Sequence, residues 1–83
     1  MPDLETLARG IVKGGGIEES ELRSGMRKRR VVKGRRMFCQ FAVGRMGYPG
    51  AEVARFLGVT TSSVNRLAAS EETPDMRKYL NMF

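Results

Sequence analysis

The sequence predicts an all-α protein, a compact helical bundle of about five helices that contains a helix-turn-helix. Three observations predict it. Apolar residues recur at the helical period of about 3.6 in successive segments. Glycine and proline stand where those segments end and begin, as in Gly14-Gly15-Gly16, Tyr48-Pro49 and Gly58. Finally, Val53, Ala54 and Leu57 share one face, Gly58 interrupts, and Val64 and Leu67 continue that face in a second short helix. The chain of 83 residues makes one domain, 1–83, with one modest core and no room for an elaborate catalytic cleft.

In chain order, residues 2 to 13 carry Leu4, Leu7, Ala8, Ile11 and Val12 at helical spacing. Asp3 is placed to cap this first helix, and Glu5 sits in the turn where the macrodipole favours acid. Gly14-Gly15-Gly16 is expected to end it, because three glycines in a row lose too much backbone entropy in a helix. The triplet lacks the Lys-Ser/Thr of a phosphate loop. Ile17 to Arg23 reads as one or two acidic helical turns anchored by Ile17 and Leu22, closed by Ser24-Gly25.

The charge then changes sign. No acidic residue occurs between Glu21 and Glu52, and residues 27 to 36 hold seven cations in ten positions: Arg27, Lys28, Arg29, Arg30, Lys33, Arg35 and Arg36. This reads as a basic loop running into a basic first helical turn. Cations at a helix N-terminus oppose the macrodipole by a few tenths of a kcal/mol each, up to about 1. A bound polyanion would compensate them, so these seven are assigned to the phosphate backbone or the minor groove of DNA. The helix that follows, roughly Arg30 to Met46, puts Val31, Phe38, Phe41, Ala42 and Met46 on one stripe and is expected to be central.

Each position of the 50–69 helix-turn-helix has a mechanical reason. Pro49 suits helix entry, Ala54 gives two steeply crossing helices room to approach, and Gly58 can leave a helix with positive φ. Val59 turns inward, and Thr60 or Thr61 offers a hydroxyl to the next helix start. With Val64 and Leu67 inward, Thr61, Ser62, Asn65 and Arg66 face outward, and these four are assigned to base contacts. Thr60 and Ser63 flank them and are assigned to the DNA backbone or minor groove. Beyond Ala69, the tail 70–83 offers Thr73 as a cap, Pro74 as a helix start, and Met76, Tyr79 and Leu80 as one face of a last short helix.

Composition narrows the function. The net charge of +6 and a pI of about 10.3 attract polyanions. The absence of histidine removes the commonest general base and transition-metal ligand, so no enzyme, cofactor or metal is expected. Cys39, the single cysteine, cannot form an internal disulfide or a zinc site, and reads as a small core residue in a reducing compartment. With no stretch long enough to span a membrane and no secretory pattern, the expected location is the cytoplasm.

Placed in order, Leu22-Arg23-Ser24-Gly25, Arg27 to Arg30, Gly34 to Val43, Gly58-Val59-Thr60 and Ser63-Val64-Asn65-Arg66 resemble a known family over about residues 3 to 70. That family is the C-terminal DNA-binding domain of the bacterial chromosomal replication initiator. The arrangement is still more similar to the related domain that trails the REP-associated single-tyrosine transposases. The resemblance implies a Trp-repressor-like helical fold on double-stranded DNA, with the recognition helix in the major groove and the basic loop on the backbone or in the adjacent minor groove. The chemistry of the transposases belongs to a separate domain with paired histidines and a tyrosine, so no catalysis is implied here. A transposase catalytic domain or a second copy of the chain are the protein partners left open. Two other readings stay open: a protein-interaction or dimerisation domain with an acidic partner, and a binder of structured or single-stranded nucleic acid.

Overall fold

The computed structural model describes residues 3–24 and 27–70. Among them are α1 (Leu4–Gly15), α2 (Glu19–Leu22), α3 (Arg29–Cys39) with a π-helical continuation (Gln40–Arg45), α4 (Gly50–Leu57) and α5 (Thr61–Ala68), with no strand. The expected all-α bundle of about five helices is therefore what the chain forms. The expected tail helix, and Gly25 as a terminator, lie outside the described residues.

Asp3 caps α1, its carboxylate accepting the Thr6 amide at 2.8 Å. That bond holds the Asp3 pKa below its usual value. Leu7, Ala8 and Ile11 form the fully buried stripe of this helix. The helix continues through Gly14 and Gly15 and stops only at Gly16, which corrects the expected stop before the triplet. Gly16 takes φ 65°, and the Gly16 and Ile17 amides both donate to the Val12 carbonyl, at 3.1 and 3.4 Å. One αL residue is enough to end a helix, and the glycines before it stay helical because Ile17, 5% exposed, is pulled into the core. Gly58 ends α4 the same way, at φ 73°, with Gly58 and Val59 both donating to the Ala54 carbonyl.

Helix α3 is the central element, packed on α1 and α2 along one side and on α5 along the other. Gly34 gives Ile17 room against α3, since a Cβ there would lie 3.0 Å from Ile17 Cδ1. Every residue from Met37 to Ala42 is buried, so α3 is enclosed on all sides just where its hydrogen bonding widens to the π pattern. A π turn accommodates one extra residue and resets the phase of a stripe. Hydropathy alone carries no sign of it. At its start the buried Gln40 donates from Nε2 to the Ser70 carbonyl at 2.9 Å, tying the end of α5 to the core. Pro49 stands one place earlier than its expected role, outside the helix as the N-cap residue of α4, where its carbonyl accepts from Glu52 and Val53.

Arg23 joins α2 to α4. Its Nε donates to the Phe56 carbonyl at 2.8 Å and its guanidinium lies 4.2 Å from the centre of the Phe56 ring. Phe56 in turn stacks on the fully buried Phe38, with ring centres 5.5 Å apart.

Cys39 is fully buried, and desolvation pushes its thiol up to about 12 from 9.0. Because the folded pKa is raised, the unfolded chain loses its proton first as pH rises. Stability is intact below about pH 9 and then falls by about 1.4 kcal/mol per pH unit until the folded thiol ionises. Urea unfolding of wild type and Cys39→Val at pH 7 to 11 checks this. The valine variant is expected to lack that part of the alkaline slope.

Candidate nucleic-acid interface

The site is built from three helix starts. Thr60 caps α5: its Oγ1 accepts the Ser63 amide at 3.1 Å and donates to Ser63 Oγ, also at 3.1 Å. This cap and the Gly58 turn fix the angle at which α5 leaves α4. Val64 and Leu67 face the core, and Thr61, Ser62, Asn65 and Arg66 are all exposed. The four lie along the free side of α5, as the helical period requires.

Two concave surfaces carry the cations of the α3 start. One is a shallow depression lined by Lys28, Arg29, Arg30 and Lys33 at the start of α3. The other is a groove of about 510 Å³ between α3 and α5, lined by Arg27, Val32, Arg35, the Gly58–Thr60 turn, Ser63, Arg66 and Leu67. The fold thus brings Arg27, Thr60, Ser63 and Arg66 together across 39 residues of sequence (66 − 27). Arg66, grouped by sequence with the base-facing residues, lines the groove wall.

Arg35 needs correction. The sequence groups it with six other cations for the DNA backbone or minor groove, but it is 7% exposed and donates from Nη2 to the Ser24 carbonyl at 2.6 Å. The reason is phase: Val31, Gly34, Arg35 and Phe38 share the inward face of α3. Burial also lowers the Arg35 pKa. Arg35 is a floor residue of the groove rather than an arm reaching out of it. Arg36 is half-buried, and its Nε is buried with no hydrogen-bond partner among the described residues. Lys28, Arg29, Arg30 and Lys33 are exposed.

One contributor escaped the sequence reading. Gly50, the first residue of α4, lies under Asn65, so that a Cβ there would meet Asn65 Oδ1 at 2.5 Å. The absence of a side chain directly after Pro49 was the available signal. Among the described residues no group of histidine, cysteine and carboxylate side chains could hold a metal, and no helix is long and apolar enough to cross a membrane. No protein-family model, curated protein or solved structure matches the chain.

Proposed function

We propose that this chain binds double-stranded DNA without catalysing a reaction, with α5 in the major groove and the start of α3 on the phosphate backbone or in the neighbouring minor groove. The observation that supports the reading is the pairing of an exposed polar helix face with a groove bordered by arginines. A capped helix presents Thr61, Ser62 and Asn65 outward, the groove along its flank is bordered by Arg27 and Arg66, and Lys28, Arg29, Arg30 and Lys33 follow Arg27 in the chain as exposed cations. Asparagine matches the N6/N7 edge of adenine in two hydrogen bonds, and serine and threonine hydroxyls accept or donate to any base. The cations supply affinity that does not depend on sequence. The α4–turn–α5 arrangement acts in this reading as the helix-turn-helix of a regulatory, replication-initiator-like or transposase-associated module.

The test is fluorescence anisotropy of a mixed-sequence duplex and its single strand, each titrated with protein at several salt concentrations. Duplex preference is expected, with log affinity falling by about 0.9 per phosphate contact per log unit of salt. Absence of binding at low salt, or equal binding to the single strand, would defeat the proposal and favour an acidic protein partner.

Gly50→Ala separates reading from folding. The obstacle to a methyl group there is the mobile end of the Asn65 side chain, so stability should stay within about 1 kcal/mol of wild type. Asn65 must turn aside, and preference at one base pair is expected to fall. Thermal unfolding and competition among duplexes of different sequence measure the two effects.

A further inference from the structure

The two flanks of α5 differ in chemistry. At about 100° per residue, Thr61 and Asn65 fall toward α4, which agrees with the contact of Asn65 with Gly50. Ser63 and Arg66 fall toward α3 and line the groove with Arg27 and the buried Arg35. Three guanidinium groups therefore border one concavity in which, among the described residues, the lining includes no carboxylate, and whose walls include the apolar Val32, Val59 and Leu67. Low-dielectric walls strengthen the field of such charges on an anion entering the groove.

The hydroxyl geometry points the same way. Thr60 Oγ1 accepts the Ser63 amide and lies 3.1 Å from Ser63 Oγ, and with Thr60 as donor in that contact the Ser63 hydroxyl keeps its own proton to donate. The groove thus offers hydrogen-bond donors and positive charge at once, which suits a tetrahedral oxyanion. The depression at Lys28 to Lys33 differs in kind, since its four exposed cations come from one helix start and enclose nothing.

We propose that the groove between α3 and α5 seats one phosphate of the DNA backbone, held by Arg27, Arg66 and the Ser63 hydroxyl, so that Arg66 is a phosphate ligand and not a reader of base edges. This rests on the duplex-binding reading and sharpens it. Arg66 sets how closely α5 approaches the backbone, and base choice falls to Thr61, Ser62 and Asn65.

Wild type, Arg66→Ala, Arg27→Ala and the double variant are compared by anisotropy on a duplex with 5′-hydroxyl ends over a range of salt. Wild type and Arg66→Ala are also used to select sequences from a randomised duplex pool. Both arginines are exposed, and circular dichroism verifies folding. Arg66→Ala is expected to weaken all duplexes alike by roughly tenfold and to reduce the salt slope by about 0.9. It should select the same motif as wild type, and the double variant should lose less than the product of the two single losses. An unchanged salt slope together with a selected motif that becomes degenerate at one base pair would overturn the assignment. If wild type binds no duplex, titration with inorganic phosphate followed by amide shifts decides the matter. Shifts at Thr60 and Ser63 that vanish in Arg66→Ala would keep the seat and make free phosphate its ligand, and silence there would overturn it.

Discussion

Phe38→Ala is expected to cost about 3–5 kcal/mol, a large part of the roughly 4–12 kcal/mol that a chain of this size holds in total. Phe38 is wholly buried on α3, which packs on α5, and its ring reaches Phe56 of α4. Its loss leaves a cavity and also strips Phe56 of its stacking partner at 5.5 Å, loosening the ring on which Arg23 rests. The effect therefore reaches three elements: α2 through Arg23, α3 through the cavity, and α4 through Phe56. Urea unfolding at neutral pH measures it. Phe38→Leu is the comparison, since leucine also loses the ring stack but leaves a much smaller cavity and should cost clearly less than alanine. If alanine and leucine cost the same small amount, this stack is not the centre of the core.

The second large effect concerns binding and has the opposite sign for stability. Lys28, Arg29 and Arg30 are exposed and stand at the N-cap and first turn of α3, where no acidic residue balances them. Replacing all three by alanine relieves their repulsion with the helix dipole, so the free protein should be as stable as wild type or more so by up to about 1 kcal/mol. Duplex affinity should fall by about a hundred- to a thousandfold at moderate salt, and the salt slope should drop by about 2.7, at about 0.9 for each of three lost contacts. Anisotropy and thermal unfolding of the same preparation record both numbers. A solvated charge run without a ligand would give the first effect and not the second.

How much of this was legible in the sequence differs by element. The α4–α5 pair was read almost residue by residue, because Val53, Ala54, Leu57, Val64 and Leu67 obey one period and Gly58 has one physical use there. The end of α1 was misplaced because composition was weighed over conformation: only Gly16 needs positive φ, and Ile17 burial holds the rest of the triplet in the helix. The π turn was invisible, since it depends on how a buried stretch meets two other helices. Arg35 was misread because a cation inside a basic run looks like its neighbours, while its phase with Val31 and Phe38 was the better guide. The Arg23–Phe56 contact joins residues 33 apart, and no local pattern announces it. The polar and charged groove residues were each named from sequence, but Val32 was not, and their grouping by flank of α5 requires the fold.

The account stands most directly on where DNA touches the protein. The decisive measurement is an amide-shift titration of the isotopically labelled chain with a DNA duplex. The predicted result is a set of perturbations confined to Arg27–Lys33, the first residues of α4 near Gly50, and Thr60–Arg66, with the outer face of α1 unchanged. Perturbations centred on α1 and α2, or none at duplex concentrations well above the protein, would contradict it.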